Sequence, residues 1–202
     1  MTLQYHQADA YLELIDPEKV GVCSLIARRS SQANFSTKEL SSPQIIQLLQ
    51  AARCAPSSHN SQPWHFIVLR KGPIREAINQ TLTQSGAAWA IEAPVLIGIT
   101  INQEQATHQN GLNYALFDTG LATQNMLLQA TSMGLAAHPV NYYDPDVVRE
   151  ALNLPIITHD LIMFLAVGHP SDEEVDTEST SLRKPLAKIA VWEQWGGEPL
   201  SE

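Results

Sequence analysis

Cysteine is nearly absent from this 202-residue chain. The two present, Cys23 and Cys54, make no disulfide framework and have no metal-ligand spacing. Both flank apolar helical stretches, so buried free thiols are expected. Basic residues are scarce as well. Twelve Lys and Arg stand against 21 Asp and Glu, and a formal net charge of −9 argues against nucleic acid or an anionic membrane surface as the main partner. No uninterrupted apolar run is long enough to span a bilayer. The most apolar segment, Leu112 to Leu135, is broken by Asp118, Gln124, Asn125 and Gln129 and reads as a buried core helix. The N-terminus lacks a basic region followed by an apolar stretch, so no secretory signal is expected and a reducing, cytoplasmic setting is.

Several catalytic motifs are missing. There is no Gly-x-Gly-x-x-Gly and no Walker loop, which removes the support for a Rossmann or P-loop site. Ser57, His59 and Asp118 lack a Gly-x-Ser-x-Gly elbow, so a hydrolase triad is not supported. None of the seven histidines forms His-x-x-x-His, and His59 and His65 are poorly spaced for a shared ion; no metal site is expected.

What remains is the composition of a folded protein, 44% hydrophobic and 16% charged, long enough for one sizeable core. A single domain over residues 1–202 is the default. Asp16-Pro17-Glu18 opens a helix running to Arg28, and Ser42-Pro43 opens a second with Ile45, Ile46, Leu48, Leu49 and Ala52 as its stripe. Trp64 to Leu69 suits a buried strand. Gly72-Pro73 starts a helix to about Thr83, and Val95 to Ile101 is a strand covered on both faces. A long helix follows from Leu112 to Met133. Its near all-round apolarity implies a partner subunit. Asp144-Pro145 caps a helix to Leu152, and Leu161 to Val167 is the last clear strand. Residues 171–181 are acidic and Ser/Thr-rich, a mobile loop by composition. Together these give an α+β, mixed α/β layer architecture.

The densest concentration of hydrogen-bonding side chains is Ala55-Pro56-Ser57-Ser58-His59-Asn60-Ser61-Gln62-Pro63-Trp64-His65-Phe66-Ile67-Val68, between a helix and a strand. A loop of that kind costs conformational entropy and contributes little core, so ligand binding is its usual justification. Its order resembles the signature of the nitroreductase family of flavoenzymes. Arg28-Arg29-Ser30-Ser31-Gln32-Ala33-Asn34-Phe35 resembles that family's opening element, Gly134 to Val140 its flavin-edge turn, Val167-Gly168-His169-Pro170 its last-strand ending, and Arg183-Lys184-Pro185-Leu186 its basic C-terminal element. The five pieces occur in the family's order.

The resemblance implies a nitroreductase-like fold, a central mixed sheet wrapped by helices in an interlocked homodimer, with residues 182–202 as an arm reaching over the partner. It implies FMN at the dimer interface, NAD(P)H as electron donor, and hydride passed through flavin N5 to a nitroaromatic, quinone or similar acceptor. Arg28 or Arg29, with Arg183 and Lys184, would hold the phosphate. Ser30 and Gln32 would meet the pyrimidine side or ribityl chain. Pro56, Ser57, Ser58 and Asn60 would come from the second subunit; turn capping is the purely structural role open to Ser57 and Asn60. Pro139, Val140 and Asn141 would lie along the ring, the Asn141 main-chain N–H facing N5. His138 reads as a satisfied core histidine, and Trp89 as a core tryptophan. Gln32-Ala33 replaces the Lys or Arg of many relatives, implying a lower flavin reduction potential. Two other readings stay open: a flavin-dependent oxidase or dehydrogenase of a specialised metabolite, and a flavin-binding module without turnover.

Overall fold

The computed structural model describes residues 13–14, 21–172 and 182–200. In chain order its elements are β1 (Glu13–Leu14), α1 (Ser24–Arg28), α2 (Ser42–Arg53), β2 (Trp64–Leu69), α3 (Pro73–Gln84), β3 (Val95–Asn102), β4 (His108–Gln109), β5 (Leu112–Asn113), α4 (Ala115–Ser132), β6 (Ala136–Val140), α5 (Pro145–Ala151), β7 (His159–Gly168) and β8 (Leu182–Arg183). Two compact units result, residues 28–175 and a smaller one from residues 1–27 and 176–202.

Local chemistry starts the helices where the sequence marks them. The Ser41 hydroxyl accepts the Gln44 N–H while the Gln44 side chain accepts the Ser41 N–H, a capping box at the head of α2. Asp144 accepts from the N–H groups of Asp146 and Val147 to open α5. The larger unit is built on a four-stranded sheet in the order β2-β3-β7-β6, and each of its pairings among the described residues is antiparallel. Alternation along β3 separates two cores. Val95, Ile97 and Ile99 pack with Ile45 and Leu48 of α2 and Ala122 and Met126 of α4. Leu96 faces the other way, toward Ile78 and Leu82 of α3 and Val148 of α5. Each such fully buried aliphatic side chain contributes about 1.5–3 kcal/mol.

Several expectations need correction. β2 is an edge strand of this sheet: Trp64 and Leu69 are buried, but His65 and Val68 are exposed, since no strand among the described residues covers its outer side. The long helix starts at Ala115 rather than Leu112. Leu112 and Asn113 instead pair with Gln109 and His108 in a hairpin turned by Asn110-Gly111, both at positive φ as such turns require. Pro139 and Val140 belong to strand β6 rather than to a turn, and Asn141 directly follows it. Cys23 and Cys54 are exposed, Cys54 because it caps the C-terminus of α2 beyond the buried stripe. The first helix is described only over Ser24–Arg28; its Asp16-Pro17-Glu18 start lies outside the described residues, as do 173–181 of the expected mobile loop.

The opening element is tied to the far end of the sheet. Ser36 donates to the His169 carbonyl at 2.9 Å and Ser171 to the Asn34 carbonyl at 3.2 Å, around a Phe35–Pro170 bridge. Gly168 permits this passage, since a Cβ there would lie 2.6 Å from Pro94 Cδ and 3.0 Å from Phe35 Cδ1. In the smaller unit β1 pairs with β8, aligning Glu13 with Arg183. Its C-terminal segment folds back on itself, Trp192 donating to the Glu198 carbonyl at 2.8 Å and Leu200 to the Ala190 carbonyl at 3.1 Å, with Trp195 fully exposed.

Candidate functional site

The loop between α2 and β2 is held in a conformation that side chains disfavour. His59, Asn60 and Gln62 have φ of 52°, 56° and 48°, and strain of this kind persists only where surrounding contacts enforce it. The Ser57 hydroxyl accepts the Gln62 N–H at 3.0 Å, and the Gln62 amide donates to the Asn60 carbonyl and side-chain oxygens at 3.3 and 3.2 Å. Ser57 and Asn60 therefore do cap the turn. The deeper anchor is Asp118, buried in the first turn of α4, whose carboxylate accepts the Ser58 N–H at 3.0 Å. Asn125, two turns on, donates to the Ala51 carbonyl at the end of α2. Pro56, His59 and Asn60 stay exposed. In the sequence Asp118 suggests only a triad member; its place on the helix beneath the loop is set by the tertiary structure.

Asp118→Ala is expected to weaken the fold by about 1–3 kcal/mol, because it strands the Ser58 N–H and releases the strained turn. Denaturant unfolding beside a surface control on α4, such as Gln124→Ala, checks it; equal midpoints would refute the anchor.

The second group gathers at the opposite end of α4. Arg28, Ser30 and Gln32 line a cleft of about 260 Å³ with Thr131, Gly134, Leu135 and Pro170. Arg29, half-buried, donates to the Ser31 hydroxyl at 3.5 Å. β6 runs beside this arm: His138 meets both the Gln32 backbone and the field of Arg29, and Pro139, Val140 and Asn141 follow it. Thirteen residues of α4 separate Asp118 from Thr131, about 20 Å along the axis. One chain thus places the strained loop at one end of α4 and the arginine arm at the other. Arg183 and Lys184 lie in the smaller unit, both exposed.

Sequence reasoning missed two features near the arm. Trp89, half-buried against the second core, also lies over the His138 ring, with centroids 4.2 Å apart and planes at 33°. The His138 Nδ1 is buried without a hydrogen-bond partner in the structure, so this is not a satisfied core histidine. Arg75, which the sequence does not distinguish from any surface cation on an amphipathic helix, is 4% exposed. Its guanidinium donates to Asn79 and to the carbonyls of Ala90, Ile91 and Ala93 at 2.7, 3.2, 3.3 and 2.9 Å, and burial lowers its pKa to about 10.

Burial lowers the His138 pKa; the Gln32 backbone opposes this and Arg29 reinforces it. His169 is lowered too, by burial and then by Lys38. A histidine depressed in the folded state binds its proton more readily when unfolded, so stability is full above the ordinary value near 6.5 and falls as pH drops below it. Thermal unfolding from pH 7.5 to 5 should show that loss, and His138→Gln should reduce it. A profile unchanged by the substitution would refute the assignment to His138.

Among the described residues no cluster of three or more His, Cys, Asp or Glu could hold a metal ion, and no helix is long and apolar enough to cross a membrane. The model of the nitroreductase family matches residues 25–88 and 81–169. The chain belongs to the nitroreductase family. This nitroreductase-family protein is 26% identical over 180 residues to an NADH dehydrogenase of Thermus thermophilus, covering 73% of this chain and 84% of that one. A solved nitroreductase family protein of Clostridium difficile superimposes with a TM-score of 0.73 at 28% identity, covering 84% and 96% of the two chains. A solved oxidoreductase containing FMN gives 0.70 at 24% identity, covering 92% and 95%.

Proposed function

We propose that this chain is an FMN-dependent oxidoreductase that takes hydride from NAD(P)H and delivers it to a nitroaromatic, quinone or similar conjugated acceptor, acting as a homodimer. The observation that carries this reading is the cleft where Arg28, Ser30 and Gln32 converge beside β6. In a chain of net charge −9, a guanidinium, a hydroxyl and an amide around one cleft make a donor set fit for a phosphate and its polar neighbours. Family membership, with an NADH dehydrogenase among the relatives, supports the nicotinamide donor.

Bound FMN would supply the chemistry, accepting hydride at N5 and passing it on. The residues of this chain would do the rest. Arg28 or Arg29, with Arg183 and Lys184, would hold the phosphate, and Ser30 and Gln32 the ribityl or pyrimidine groups. The Asn141 N–H, at the end of β6, would orient the ring edge. Pro56, Ser57, Ser58 and Asn60, fixed by Asp118, would close the site from the partner subunit. Between the half-sites, α4 exposes Leu116 (57%), Phe117 (63%) and Gly120. Two copies packed antiparallel along that face would place each strained loop against the partner's arginine arm, a self-complementary two-fold contact. The arm of residues 182–202 would add to it, and a cytoplasmic setting suits the nicotinamide donor.

The test is the visible spectrum of the purified protein, followed anaerobically as NADPH and then NADH is added. Flavin bands that bleach support the reading. Bands that persist would oppose nicotinamide as donor, and absence of flavin after incubation with FMN would overturn the proposal.

A further inference from the structure

Trp89, His138 and Arg75 are absorbed by none of the roles above, yet they form a continuous chain of contacts ending at the arginine arm. Arg75 collects the carbonyls of Ala90, Ile91 and Ala93. Those residues belong to, or directly follow, the short 3-10 helix Ala88–Glu92 that carries Trp89. A buried guanidinium with three main-chain acceptors fixes that segment more firmly than its own hydrogen bonding does. Trp89 in turn lies tilted over His138, ring centroids 4.2 Å apart. His138 also hydrogen-bonds the Gln32 backbone and lies within the field of Arg29. The arm itself has little regular structure: α1 ends at Arg28, and the next pairing is the Phe35–Pro170 bridge. Something must hold the arm's residues between those points against the sheet.

We propose that His138 is a positioning residue which, backed by Trp89, sets the Arg29–Gln32 segment so that Arg29 faces the phosphate of the bound flavin. The proposal rests on the flavin reading above and deepens it. An uncharged ring suits the task, since a cation there would repel Arg29. Held against an indole and hydrogen-bonded to the Gln32 main chain, the ring restricts where the arm can lie. Without it Arg29 keeps its charge but loses a defined direction, and a misdirected guanidinium gives up bidentate geometry while retaining only long-range attraction.

The experiment is FMN titration, read by flavin fluorescence, of the wild type and His138→Phe at about 0.05 M and 0.5 M salt. Phenylalanine keeps a flat ring under Trp89 and removes the nitrogen that meets Gln32. The expected result is an affinity about 10-fold weaker at low salt, the loss of one charge-assisted contact. At high salt the long-range attraction left in the variant is screened more strongly than the direct contact of the wild type, so the gap should widen beyond about 10-fold. A gap of equal size at both salts would mark general damage, and no gap at either would mean the arm sets itself; both overturn the proposal. Where His138→Phe does not fold, Trp89→Leu reads the same gap by removing the support behind the ring. Wild-type protein that binds no FMN at either salt would instead sink the flavin reading, which separates the two failures.

Discussion

Replacing Arg28 and Arg29 together by alanine is expected to lower FMN affinity by about 100- to 10,000-fold. A hydrogen bond to a charged partner contributes roughly 1.5–3 kcal/mol, so two such contacts correspond to about two to four powers of ten. Arg28 is exposed and Arg29 half-buried, so neither supports the core and the double variant should fold. The single variants then apportion the loss. Arg28 lines the cleft directly, whereas Arg29 acts from beside His138. Equilibrium titration with unfolding midpoints in parallel gives the answer. Wild-type affinity in the double variant would mean that the phosphate, if bound, is held elsewhere.

The second large effect is expected from the exposed face of α4. If the chain dimerises as proposed, Leu116→Asp combined with Phe117→Asp should convert that dimer to monomer and weaken FMN binding by at least about 100-fold, although neither residue belongs to the proposed loop or arm contacts. An interface that must bury carboxylates loses several kcal/mol, comparable to the whole free energy of a moderately stable dimer. Because loop and arm lie about 20 Å apart on one chain, a monomer would offer the flavin only half of its contacts. Analytical ultracentrifugation with FMN titration decides the matter. A monomer that still binds FMN tightly would show that one chain suffices, and a variant that stays dimeric would move the interface to another face. Both residues already face solvent, so the exchange should leave the monomer fold intact.

Much of the fold was legible because its signals are local. Capping at Ser41 and Asp144, the stripe of α2 and the apolar run of β3 depend on residues within a few positions of one another, and the structure follows them closely. The errors arose where a distant segment outweighed the local pattern. Leu112 reads as helical by hydropathy, yet Asn110-Gly111 turns a hairpin there and delays α4 to Ala115. Gly134 to Val140 contains a proline and small residues, yet from Ala136 it pairs along β7, which Pro139 tolerates because β6 is an edge strand. Cys54 borders an apolar stripe but falls on its exposed end.

The site divides in the same way. The loop and the arginine arm were legible in the sequence through their resemblance to the family's motifs, which are carried by residues close together in the chain. Asp118 beneath Ser58, Arg75 under the Trp89 segment, Trp89 over His138 and the separation of the loop from the arginine arm along α4 were decided only by the tertiary structure. The reason is physical. These partners lie up to 60 residues apart in sequence. A buried carboxylate or guanidinium is set apart from a surface one only by what folds over it.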